Sequence, residues 1–258
     1  MNQHFNLMRF GRLLRKHTAE HLRSYLMGVA VLAGGIGAVL GGLTYMGGPL
    51  PPGAQLILFY CGLITAGAMI TAGVFAALGD PRRAAPALLL PASHLEKYLV
   101  VWLYSLPVFW VVYVGVFLAM DALTLQLAPA GSPRIMLDFA AAPQLLGRAL
   151  LSYALLHAAA LSCALYFERL HIVKTAFALL GGLGVLALLN FQVLKRVLTV
   201  DIAPALPFDD VGLVSGGQYF GLALPAGHGA LLAVAVLPLA LAVLLWLGAY
   251  ARLTEKQL

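Results

Sequence analysis

Charge is scarce in this sequence. Only 10% of its 258 residues are Asp, Glu, Lys or Arg, while 62% are hydrophobic. Soluble domains carry about a quarter charged residues, so a soluble fold is excluded. Cysteine is nearly missing as well, with only Cys61 and Cys163 present. The spans assigned below set these two about 20 Å apart in depth, too far for an intrachain disulfide, and both read as small packing residues. There is no G-x-x-x-x-G-K-[ST] phosphate loop, no H-E-x-x-H, no G-x-S-x-G and no aspartate-rich phosphotransferase signature. ATP binding through a phosphate loop and the commonest zinc and serine hydrolase devices are therefore not expected. The 10 acidic residues are expected in loops, in tails or at span ends, which leaves His157 and uncharged groups such as Asn190 in the membrane interior. Intramembrane acids usually carry proton-coupled transport, so the energy for any transport cycle is expected to come from elsewhere. A lone His in a bundle reads as hydrogen-bonded to a neighbour before it reads as a relay.

What is present is a series of apolar runs about twenty residues long, the length a helix needs to cross a ~30 Å hydrocarbon core. The expected fold is an all-α membrane protein, one transmembrane domain over 1–258 with six spans at about 26–46, 56–78, 99–120, 145–167, 175–194 and 229–250. With both termini cytoplasmic, the inner segments hold Arg9, Arg12, Arg15, Lys16, Arg23, Arg82, Arg83, Lys97, Arg169, Lys174, Arg252 and Lys256. The outer ones hold Arg134, Arg148, Lys195 and Arg196. This is the positive-inside bias. The net charge of +6 is accordingly a topology signal, and no nucleic-acid partner is expected.

Residues 6–25 contain no apolar core of the kind a cleavable signal needs. They read as an amphipathic helix in the inner interface. Phe10, Leu13, Leu14, His17 and His21 recur on one side, with Arg9, Arg12, Lys16, Glu20 and Arg23 towards anionic headgroups. The membrane-contacting set is Phe10, Arg12, Leu13, Leu14 and Lys16. His17 and His21 lack a third ligand in the pattern, so no metal is expected. Small residues at 34, 38 and 42, and at 37 and 41, would let another helix approach closely, within the chain or between chains. Pro107 and Pro238 interrupt two spans and are expected to kink them. The outer stretch 195–228 is apolar enough to dip back into the bilayer, and Asp201, Asp209 and Asp210 within it are too loosely spaced for a metal site.

The cytoplasmic stretch 79–98, GDPRRAAPALLLPASHLEKY, is too charged for a span and too apolar for a plain loop. Asp80–Pro81 is stop chemistry for the preceding helix, Pro86 suits the first turn of a short helix, and Pro91 breaks it. Ser93 with Glu96 forms an S-x-x-E capping box that starts a second helix leading into the next span. The leucine triplet at 88–90 beside charge suits docking into a groove of a partner protein.

On these features the chain resembles the permease subunit of ABC-2-type ABC transporters. Its LLLPASHLEKYL, preceded by PRR, is similar to the L-P-A-S-x-x-E-K segment of many small bacterial permeases of this type. The resemblance implies that 79–98 is a coupling elbow, with Arg82, Arg83, Leu88, Leu89, His94, Glu96 and Lys97 contacting a separately encoded ATPase. It implies no cofactor on this chain, ATP and Mg on that partner, and a second permease chain, identical or paired, in the working unit. It further implies a bacterial inner-membrane location, a substrate path between the permeases lined by spans 1, 2 and 5, and export of an unidentified substrate by alternating access without catalytic residues here. A membrane enzyme acting on lipids through His157 and outer-loop Asp residues, and a membrane scaffold, are the competing readings.

Overall fold

The computed structural model describes residues 5–79, 93–128, 134–166, 171–198, 202, 211–215, 218–222 and 228–255. These form helices α1 (Leu7–Gly47), α2 (Pro52–Gly79), α3 (His94–Gln126), α4 (Pro143–Tyr166), α5 (His171–Val197) and α6 (His228–Glu255), with strands β1 (Val211–Ser215) and β2 (Gln218–Leu222) before α6. Among the described residues, five helices are long and apolar enough to cross a membrane: α1, α2, α3, α4 and α6. The remaining expected span, 175–194, falls within α5, which is 27 residues long.

Two expectations are amended. The interfacial helix 6–25 and the span 26–46 are not separate, because α1 runs unbroken for 41 residues. No proline interrupts the junction, and each added residue of a growing helix contributes a further hydrogen bond. At about 60 Å, α1 is twice as long as the hydrocarbon core is thick. It starts where the Asn6 side chain accepts from the backbone N–H groups of Met8 and Arg9 (3.0 and 3.4 Å). It ends at Gly48, whose φ of +82° is left-handed and whose N–H donates to Thr44 O at 2.8 Å. The second amendment concerns the all-α fold. The stretch expected to be re-entrant contains an antiparallel hairpin, with Val211 opposite Leu222 and Ser215 opposite Gln218. Its strands are built from β-branched, aromatic and leucine residues that favour pleated backbone, and Gly216–Gly217 separates them in sequence.

Helix α4 lies at the centre and gathers α2, α5 and α6, whereas α1 packs chiefly on α3. The core between α2, α3 and α4 is aromatic. Phe59 meets Phe117 edge-on at 5.1 Å and Tyr113 at 5.4 Å, and Phe109 meets Tyr153 at 5.3 Å. Tyr113 and Tyr153 are both fully buried, and each donates its hydroxyl to a backbone carbonyl, Phe59 O at 2.7 Å and Ser105 O at 2.5 Å. Glycine makes room for these rings: a Cβ at Gly62 would stand 2.5 Å from the Tyr113 hydroxyl, and one at Gly67 would run into the Tyr153 ring. A second cluster at the Glu96 end joins Tyr98, Val101, Leu161, Leu165, Ala249 and Leu253.

The small residues of α1 divide between two faces. Gly37 faces Met120 and Gly41 faces Thr124 of α3, while Gly34 and Gly42 have nothing within 4 Å. Gly67→Ala is therefore expected to destabilise the bundle by about 1–3 kcal/mol through overpacking. Gly34→Ala should be neutral or stabilise by up to ~1 kcal/mol from helix propensity. Denaturant unfolding of both variants in micelles, followed by circular dichroism, checks the contrast.

Candidate functional site

The start of α3 is built by local chemistry. Ser93 Oγ accepts from Glu96 N–H at 3.3 Å, and Glu96 Oε2 accepts from Ser93 N–H at 3.0 Å. This is the capping box expected from S-x-x-E, and the helix it opens continues into the apolar stretch.

The same carboxylate also holds the start of α1. Arg9 Nε donates to Oε2 at 2.8 Å, Arg9 Nη2 donates to Oε1 at 2.7 Å, and the Asn6 N–H donates to Oε1 at 2.9 Å. Glu96 is fully covered, while the Arg9 side chain is 31% exposed. One carboxylate thus accepts from a forked guanidinium and from the N-cap backbone of two helices. Charge-assisted bonds of this kind favour the ionised form, and negative charge is stabilised at helix N-termini. Arg9 was expected to face lipid headgroups; it is instead turned onto α3. Further along the same side of α1, Thr18 shares a hydrogen bond with the Tyr104 hydroxyl, and Tyr25 stacks on Tyr104 at 5.1 Å with rings 3° from parallel.

Of the residues expected to contact a partner, Arg82, Arg83, Leu88 and Leu89 lie outside the described residues. His94 and Lys97 are half-buried at the mouth of α3, and His94 Nδ1 is buried without a hydrogen-bond partner among the described residues. Glu96, also expected as a contact, is enclosed and bound to Arg9. Of the residues expected to contact the membrane, Phe10, Leu13 and Leu14 are half-buried and Arg12 and Lys16 are exposed, with Lys16 3.7 Å from Glu20. His17 and His21 stack at 4.4 Å; His17 Nε2 bonds the Tyr25 hydroxyl at 2.7 Å, and His21 Nδ1 donates to His17 O at 3.1 Å.

Midway along α3, residues Tyr104–Val108 form a π-helical turn around Pro107. The Phe109 N–H bonds Tyr104 O and Leu106 O, passing over Ser105 O, which takes the Tyr153 hydroxyl instead. Ser105 Oγ donates to Val101 O and lies 2.8 Å from His157 Nε2. Trp246 Nε1 donates to His157 Nδ1 at 3.1 Å. Nδ1 is therefore an acceptor, and Nε2 carries the proton given to Ser105. His157 is fully buried with both ring nitrogens engaged, as the satisfied-histidine reading expects. It ties α3, α4 and α6 together and presents no free ring nitrogen to a lipid substrate.

Reading the sequence missed the partners Arg9, Ser105 and Trp246, because nothing local marks a pairing across 87 positions. Glu96 and Asp121, expected at span ends, do lie near the two ends of α3, and both are enclosed by the protein, at 0% and 2% exposure. Comparison with family models, with curated proteins and with solved structures finds no match, so functional inference starts from these residues.

Ser93→Ala should cost about 1 kcal/mol through loss of the N-cap. Glu96→Gln preserves a capping-box residue type but removes the charge that holds Arg9. Hydrogen–deuterium exchange separates the two effects: Ser93→Ala should raise exchange at the start of α3, and Glu96→Gln should raise it at residues 6–12 of α1.

Proposed function

We propose that the chain is the membrane-spanning permease subunit of an ATP-driven transporter of ABC-2 type, in which a separate subunit hydrolyses ATP and substrate moves by alternating access. The observation that carries this reading is the Glu96 tie. The helix leaving the 79–98 segment is bound at its first turn to the start of α1, so a force applied to the elbow reaches two long helices together. In this reading Arg82, Arg83, Leu88 and Leu89, flanked by His94 and Lys97, form the contact with the ATPase, and Glu96 positions the elbow from within. The Glu96 end faces the cytoplasm of a bacterial cell, two permease chains complete the pore, and export is the direction.

The test is recovery of partners from native membrane with the tagged full-length chain. An ATPase carrying a phosphate loop is expected to copurify. Arg82→Glu with Arg83→Glu should cut its recovery at least about tenfold, the equivalent of ~1.4 kcal/mol. The reading fails when no such ATPase is recovered, or when association survives replacement of 81–97 by a glycine-serine linker.

A further inference from the structure

The end of the bundle opposite Glu96 holds a second enclosed carboxylate. Asp121 lies one turn beyond Phe117 on α3, and Gln55 lies one turn beyond Phe59 on α2. The two phenyl rings touch edge-on at 5.1 Å. Residues four apart share a helix face, so Asp121 and Gln55 sit at the same level on facing sides of neighbouring helices. One short segment independently brings them together: Gln55 Nε2 donates to Ile135 O at 2.8 Å, and Leu137 N–H donates to Asp121 Oδ2 at 3.4 Å. Both side chains thus bond backbone groups only two residues apart.

Each side chain has one oxygen left over. Gln55 is 0% exposed, and its Oε1 is buried without a partner. Asp121 is 2% exposed, and the long bond to Oδ2 is the one hydrogen bond its carboxyl makes among the described residues. Arg9–Glu96, Lys16–Glu20 and Arg252–Glu255 are ion pairs among the described residues, and Asp121 takes part in none of them. Among the described residues no cation is paired with it. Arg134 is exposed with Nη2 on Ala128 O at 3.0 Å, Asp138 is exposed and accepts from Ala140 and Ala141 N–H, and Arg148 of α4 is exposed. The neighbouring helices carry Tyr45, Tyr60 and Cys61 towards this end. An unpaired carboxylate in such a place is far costlier than a neutral acid, and it takes up a proton instead.

We propose that Asp121 is a proton-binding site: at neutral pH its carboxyl is protonated on Oδ1 and donates that proton to Gln55 Oε1. The single proton satisfies the leftover acceptor on α2, removes the buried charge on α3 and leaves Oδ2 for the Leu137 N–H. Protonation thereby holds the 134–139 segment across the end of α2 and α3. The inference stands independently of any transport partner.

Infrared spectroscopy of the full-length chain in lipid nanodiscs tests it. Exposed acids are ionised at neutral pH, so a protonated-carboxyl carbonyl band there reports an enclosed acid. The wild type should show that band at neutral pH. Asp121→Asn, which mimics the neutral acid in shape, should abolish the band, and Gln55→Leu should shift its frequency by removing the acceptor. The proposal is overturned by a wild type without the band at neutral pH, by a band undiminished in Asp121→Asn, or by one unmoved in Gln55→Leu. The wild-type measurement decides the first point even when a variant fails to fold.

Discussion

A polar atom enclosed in an apolar bundle must find its partner inside the protein, because lipid offers none. Helix α3 carries such atoms at three depths, and the arrangement of the other helices follows from how they are met. Glu96 at its start draws in the first turn of α1 through Arg9 and Asn6. Ser105, in the π-helical turn, draws in α4 through Tyr153 and His157, and α6 through Trp246. Asp121, near its far end, meets the short segment that also receives Gln55 of α2. The apolar surfaces between these points cannot do this work alone. Lipid tails are as apolar as leucine, so helices associate through close packing and polar ties rather than through the hydrophobic effect. The exposed Leu237, Leu241 and Leu244 of α6, one of the five helices apolar enough to cross a membrane, suit contact with lipid on the same grounds.

The π-helical turn shows how one local defect organises its surroundings. Pro107 has no N–H to give, and the widened turn leaves Ser105 O without the Phe109 N–H. That carbonyl is met by a tyrosine hydroxyl whose ring fits only because residue 67 has no side chain. A proline on α3, a tyrosine on α4 and a glycine on α2 thus belong to one device. Each looks unremarkable when its own helix is read alone.

What the sequence made legible was whatever depends on neighbours along the chain. Apolar runs of sufficient length marked the membrane helices, Ser93 and Glu96 marked the start of α3, and a single His in a span pointed to a hydrogen-bonded core group. What stayed hidden depends on pairing in space. Arg9 looked like one more base on an amphipathic face, because its partner lies 87 positions away. The junction at residue 25 looked like a boundary, because composition changes there from mixed to apolar; backbone continuity ignores composition when no breaker is present. Asp121 looked like a span-end acid, because its run of apolar residues stops at Met120, yet the helix continues to Gln126 and carries the carboxylate inward. The hairpin at 211–222 was read only as apolar, since a short run of such residues fits strand or membrane segment equally well.

The packing also bears on how force would travel. Helix α1 rests chiefly on α3, and α4 gathers α2, α5 and α6, so the bundle has two packing groups. They meet along α3, at the Ser105 ties and at the segment shared by Gln55 and Asp121. A load on the elbow of the proposed permease enters the first group at Glu96, where α1 and α3 are held as one body. It must then act against the second group through these polar contacts, which have discrete partners, and through the aromatic core between α2, α3 and α4. The π-helical turn lies between the entry point and the far contact. It is the place on α3 where the regular hydrogen-bond ladder is already interrupted, and so where a change of helix direction would disturb the fewest backbone bonds. In the proposed permease the elbow would move α1 and α3 together through Glu96, and the Ser105 contacts would couple them to α4 and α6.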